Sequence, residues 1–168
     1  DILQKWVVGN LYVNDDNPPI RLDYGNMRVI KEDDYSKLSD KELKENYLVV
    51  KSRNSKFFSF GNYKTEKTYK LKKVDLGKKL NSVINIWLKY NKNGSLLVDT
   101  KNNSMSSNQL GKYIKKVFSP TGKEISVNLL RHIYISEKFP VEKEDEKEEV
   151  ASKMLHSKST QGTYAKKD

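Results

Sequence analysis

Along this chain the apolar positions change period twice, and each change predicts a change of element. Residues 2–13 read as an amphipathic helix, broken by "NDDNPP". Pro18 and Pro19 suit the first turn of a short second helix, "PPIRLDYGNM". "RVI" (28–30) reads as a strand leading into a polar excursion, "KEDDYSKLSDKELKEN". The period then falls to two, or the runs become wholly apolar, in "YLVVK" (47–51), "KFFSFG" (56–61) and "TYKLKKVDL" (68–76). Split by "SRNS" and "NYKTEK", these predict a small antiparallel sheet with tight turns. Helical spacing returns at 76–91, where Leu80, Val83, Ile84 and Trp87 share a stripe. After a short "SLLVD", residues 106–119 form a helix capped by serine, with Leu110, Tyr113, Ile114 and Val117 on one face. A further helix spans 126–139 and stops at Pro140, and the acidic run into "VASKML" reads as another. No repeat is present. The order helices, sheet, helices predicts an α+β fold, mainly helical, over one domain spanning residues 1–168.

Composition changes this picture in three ways. At 36% hydrophobic and 32% charged, the chain is a folded domain with a heavily solvated surface rather than a disordered one, because its apolar residues cluster in periodic blocks. The absence of cysteine excludes disulfides and thiolate metal sites. No apolar stretch is long enough to span a bilayer, and no signal-peptide pattern opens the chain, so a membrane partner is not expected. The opening, "DILQKWVVGNLYV", starts in helical character without Met and is read as the beginning of a C-terminal fragment of a longer protein.

The net charge is +10 even though residues 142–149 hold six acids against two lysines, which favours a polyanion as partner. A lysine-rich coding bias is the competing explanation. That bias makes the arginines more informative, since Lys outnumbers Arg 28 to 4. Where lysine is the default cation, Arg21, Arg28, Arg53 and Arg131 are candidates for places that need a planar, bidentate fork.

Four segments, in order, resemble the tyrosine recombinases, the phage-integrase class. "PPIRLDYGNMRV" resembles the Arg-bearing helix before that family's first strand, and "YKTEKTYKLKKVDL" its β-hairpin with a Lys-Thr pair. "SVNLLRHIYIS" is similar to its His-x-x-Arg-His helix, and "MLHSKSTQGTY" to its Leu-Gly-His-Ser…Tyr ending. Each motif alone is weak; four in order, covering essentially the whole chain, are specific. The flavour of "PPIR" and "LLRHIYIS" is closest to integrases of viruses and virus-associated mobile elements.

The resemblance implies a DNA strand transferase that works through a 3′-phosphotyrosyl link, with no metal and no cofactor. Arg21 and Arg131 are implied as forks on the non-bridging phosphate oxygens, where lysine is a poor substitute. Lys64 is implied as the acid for the departing 5′-oxygen, His156 as a hydrogen-bond donor to the scissile phosphate, and Tyr164 as the nucleophile. The partners implied are double-stranded DNA and further copies of the chain, a tetramer in the synapse, inside a cell or virion. A second domain, preceding this one, is expected to clamp the other face of the DNA.

Two departures from the family pattern stand out. Asn128 occupies the position three before Arg131 where the family usually has His or Lys; an amide positions a phosphate oxygen but moves no proton. The His156 to Tyr164 spacing is one residue shorter than usual. His132, adjacent to Arg131, points about 100° away from it and reads as a supporting, buried histidine. Tyr12, Tyr63, Tyr113 and Tyr134 read as core or hairpin residues. Two alternatives stay open: a type IB topoisomerase, which uses the same Arg, Lys, His and Tyr roles, and a non-catalytic DNA-binding module derived from the family, with Asn128 as a sign of decay. RNA is not favoured, because no aromatic-interleaved sheet signature appears.

Overall fold

The computed structural model describes residues 1–14, 16–63, 70–139 and 153–154. Helix α1 (Ile2–Tyr12) leads through a turn-rich segment to strand β1 (Arg28–Lys31) and a single helical turn, α2 (Glu32–Tyr35). Strands β2 (Asn46–Ser52), β3 (Ser55–Phe60) and β4 (Lys72–Asp75) follow. Helices α3 (Lys78–Tyr90), α4 (Ser107–Phe118) and α5 (Val127–Lys138) complete the described elements. The architecture is α+β.

The sheet has the order β1-β2-β3-β4. Its β2–β3 and β3–β4 pairs are antiparallel, with Leu48 opposite Phe58 and Phe58 opposite Val74. The three strands expected to form an antiparallel sheet do so, and β1 adds a parallel edge to them that the sequence did not reveal. The physical reason lies in residues 32–45. A parallel neighbour needs a crossover long enough to return the chain to the same end, and the polar excursion supplies it. Tyr35, Leu38 and Leu43 from that crossover pack with Tyr47, Val49 and Phe57 over the outer sheet face.

The period-two alternation sends Leu48, Phe58 and Phe60 to the opposite face. There they meet Val7, Val8 and Leu11 of α1, Leu80, Val83, Ile84 and Trp87 of α3, and Leu110 and Ile114 of α4 in the main core. The α4 start is built as its sequence predicts. Ser106 Oγ accepts from Gln109 N at 3.2 Å, while Gln109 Oε1 accepts from Ser106 N at 2.8 Å, a complete capping box.

One buried cation stitches sheet to helix. Lys56 Nζ donates to the carbonyl of Arg53 at 2.8 Å, Asn81 Oδ1 at 2.9 Å and Asn85 Oδ1 at 2.6 Å, and desolvation lowers its pKa. Asn81 and Asn85 return bonds to the same Arg53 carbonyl, so the β2–β3 turn is fastened onto α3.

Where β3 ends, Gly61 lies directly on the crossover. A Cβ there would sit 2.0 Å from the Leu43 carbonyl oxygen, a backbone atom that cannot step aside. Gly61→Ala is therefore expected to destabilise the fold by about 1–3 kcal/mol through overpacking. Gly9, inside α1 with nothing within 4 Å of its added methyl, is expected to stabilise by up to ~1 kcal/mol as alanine. Urea denaturation of the two variants checks both signs.

Candidate active site

The segment bearing Arg21 is not the short helix expected after Pro18 and Pro19. It is a run of turns, with Gly25 N bonded to Leu22 O at 2.9 Å and Asn26 at a φ of 57°. Three consecutive carbonyls of this run accept hydrogen bonds from side chains that come from elsewhere. Tyr12 Oη donates to Arg21 O at 2.7 Å, Ser107 Oγ to Leu22 O at 3.0 Å, and Asn46 Nδ2 to Asp23 O at 3.2 Å. Helix α1, the N-terminus of α4 and the start of β2 thus each hold one residue of the turn. Gly25 makes this possible, since a Cβ there would lie 2.5 Å from the Ser107 nitrogen. A main chain pinned at three successive residues gives the Arg21 side chain a fixed root, as a site on irregular backbone requires.

Arg131 comes from α5 and is fully buried. Burying a guanidinium is costly unless compensating charge and hydrogen bonds surround it. Its Nη2 lies 3.5 Å from the carbonyl of Met154. The Met154 side chain packs with Ile135, one turn beyond Arg131 on the same helix, beside Tyr134 and Phe139. The chain two residues before His156 is thereby held against Arg131.

An acid in the field of Arg131 is Asp23, a residue that reading the sequence for basic and nucleophilic groups missed. Burial pushes its carboxyl up to about 6, against the opposing pull of Arg131 first and Arg21 second. Both guanidiniums act electrostatically on one carboxylate, although they lie 110 positions apart in the chain. Arg21 Nε and Asp23 Oδ2 are buried without hydrogen-bond partners among the described residues, so the fold carries unsatisfied polarity here. The signal available in the sequence was an acid two residues from a rare arginine.

Tyr12 also lies in the field of Arg131, but it is no rival nucleophile. Its hydroxyl is committed to the Arg21 carbonyl, and desolvation first, then Tyr24 and Asp23, raise its pKa well above the ordinary value. Tyr12 and Tyr63 are buried, as the sequence suggested. Asn128 is exposed at the start of α5, one turn before Arg131, and His132 is half-buried. Arg28, on β1, and Arg53, in the β2–β3 turn, are exposed and sit outside this cluster. Lys64, His156 and Tyr164 lie outside the described residues. Among the described residues no group of three or more His, Asp or Glu is placed to hold a metal ion, and no helix is long and apolar enough to cross a membrane.

Arg21 and Arg131, from distant segments of the chain, thus both exert their charge on Asp23. Among solved structures, the crystal structure of XerA recombinase, a tyrosine recombinase, superposes with a TM-score of 0.63. This chain shares the XerA recombinase fold. The match covers 99% of this chain and 53% of that one at 11% identity, so the chain spans about half the length of that protein. No family model and no curated protein matches the sequence.

Proposed function

We propose that this chain is the catalytic domain of a tyrosine recombinase, which cleaves and rejoins double-stranded DNA through a 3′-phosphotyrosyl intermediate. The observation that carries the reading is the fold shared with XerA recombinase over 99% of this chain, with Arg21 and Arg131, the arginines that match the family's motifs, both acting electrostatically on Asp23. With Asp23 ionised, the three groups sum to one positive charge, the complement of one phosphodiester.

In the proposed reaction the two guanidiniums hold the non-bridging oxygens and stabilise the charge that grows on them in the transition state. Tyr164 gives up its phenolic proton to solvent as its Oη bonds to phosphorus and the bond to the 5′-oxygen breaks, and Lys64 supplies the proton that the 5′-oxygen takes up. His156 and Asn128 donate hydrogen bonds to the phosphate. The phosphate ester count is conserved, so a second 5′-hydroxyl reverses the step and joins a new strand. The partners are duplex DNA and further copies of the chain, assembled as a tetramer in the synapse.

The test uses the full-length protein and a pool of nicked duplexes randomised around the nick, from which a cleaved fragment diffuses away and traps the intermediate. The expected result is a DNA adduct that survives denaturant, disappears with protease, and maps by peptide mass to Tyr164. Retention of DNA with no adduct sinks the reading and leaves the non-catalytic module. Supercoil relaxation by a monomer, without exchange between paired sites, assigns the chemistry to a topoisomerase instead.

A further inference from the structure

We propose that Tyr12 is a positioning residue for DNA cleavage: its hydroxyl, carried on the last residue of α1, fixes the main chain of Arg21 and so aims the guanidinium at the phosphate. The proposal rests on the recombinase reading above.

Tyr12 closes α1 and is buried. The helix is held in the core by Val7, Val8 and Leu11, and by Gln4, whose amide exchanges two bonds of 2.9 Å with the backbone of Val98. The Tyr12 ring stands edge-on to Tyr24, with centroids 5.6 Å apart and planes at 85°. Tyr24 is itself tied back to α1. Asn17 Nδ2 donates to the Tyr24 hydroxyl at 3.1 Å and to the Leu11 carbonyl at 2.8 Å. So placed, Tyr12 Oη lies 2.7 Å from the Arg21 carbonyl oxygen. Burial raises the pKa of the phenol well above its ordinary value, so it keeps its proton, and remains a donor, through the neutral range.

Phenylalanine would fill the same space against Tyr24. What the hydroxyl adds is one bond, and it goes to the residue that bears the fork. Ser107 and Asn46 hold the two residues that follow, whereas Tyr12 holds Arg21 itself. Arg21 Nε is buried with no hydrogen-bond partner among the described residues, so among them the direction of this side chain is set from its main chain. A guanidinium that donates two parallel bonds to a phosphate tolerates little shift of its origin. An error near 1 Å in placement costs up to about a hundredfold in rate.

A substrate that does not need the fork separates positioning from stability. With the cleavage site recovered from the randomised pool, single-turnover adduct formation by the full-length protein is measured on the ordinary phosphodiester and on both methylphosphonate epimers. Each epimer carries methyl in place of one non-bridging oxygen, which makes the group neutral and leaves the arginine facing the methyl without a partner. Arg21→Ala identifies the epimer on which Arg21 is dispensable. Tyr12→Phe is expected to slow the phosphodiester by roughly tenfold to a hundredfold and to stay within about twofold of wild type on that epimer. Tyr24→Phe removes a hydroxyl from the same cluster without touching the Arg21 carbonyl, and is expected to leave both rates unchanged.

Equal loss by Tyr12→Phe on both substrates, loss on neither, a loss matched by Tyr24→Phe, or failure of Tyr12→Phe to fold by circular dichroism makes Tyr12 at most a stability residue and overturns the proposal. The reading beneath it fails differently. If Arg21→Ala loses no rate on the phosphodiester, or regains none on either epimer, Arg21 does not hold the phosphate, and the role of Tyr12 falls with it. Absence of any adduct from the wild-type protein sinks the recombinase reading itself, and this proposal too.

Discussion

Arg131→Lys is expected to lower the single-turnover rate of adduct formation by roughly 10²–10³-fold, the loss typical of removing one preorganised donor from a developing oxyanion. Lysine keeps the charge but not the fork. Arg131 is fully buried, its Nη2 is directed at the Met154 carbonyl, and its charge acts on Asp23. An ammonium in the same space serves at most part of that set, and it is more strongly hydrated, so its burial is less favourable. Arg21→Lys is expected to fall in the same range, since the pinned carbonyls of residues 21–23 aim a planar group that lysine lacks. The two losses are expected to be less than additive in the double variant, because in the proposed reaction both act on one phosphate. DNA affinity is expected to change only a few-fold, as backbone attraction depends on charge and lysine preserves it. Arg28→Lys and Arg53→Lys, made outside the cluster, serve as controls and are expected to stay within about twofold. Equal losses at all four positions, or none at Arg21 and Arg131, would falsify the phosphate site.

How much of this was legible in the sequence depends on whether a residue's partners are near it in the chain. Helix α4 was readable to its cap, since Ser106 and Gln109 satisfy each other across three residues. Strands β2 and β3 were readable because alternation reports burial directly, and Leu48 and Phe58 do lie on the core face. The turn at 18–27 was not. Its conformation is set by Tyr12, Ser107 and Asn46, which lie 9, 85 and 23 residues from the carbonyls they hold. Two prolines imply a helix start only when the following carbonyls are left to find their own partners. The parallel β1 was hidden for a related reason. Residues 32–45 read as solvated excursion, and only Tyr35, Leu38 and Leu43 reveal that they cover a sheet face. At the site, scarcity marked all four arginines and the family resemblance picked out Arg21 and Arg131, whereas Asp23 is one of 22 acids and nothing local separates it from the rest. Its role becomes visible once the two arginines are seen to share it.

Asp23 also gives the protein a pH dependence opposite to that of its surface acids. Burial raises its carboxyl from 3.8 to about 6, despite Arg131 and Arg21, so the folded state binds this proton more tightly than the unfolded chain does. The contribution is fully present below pH 3.8 and is lost as pH rises through about 6. A shift of that size corresponds to about 3 kcal/mol of unfolding free energy lost across the window. Glu42, Asp99 and Glu124 work the other way: hydrogen bonds lower their pKa values, and their stabilisation is lost as pH falls below the ordinary carboxylate range. The two effects occupy different windows, so chemical denaturation at pH 4.5 and pH 7.5 isolates Asp23. Asp23→Asn, which mimics the neutral acid, is expected to remove the loss between those values. DNA provides a second readout through the same group. A phosphate held by Arg21 and Arg131 brings negative charge to the carboxylate, raises its pKa further, and makes binding take up a proton near neutrality. Calorimetry in two buffers of different ionisation enthalpy is expected to show that uptake in wild type and not in Asp23→Asn. If the protein gains stability from pH 4.5 to 7.5 and binds DNA without proton uptake, Asp23 is already an ordinary ionised partner of the arginines, and the acid at the centre of the site does not titrate in the working range.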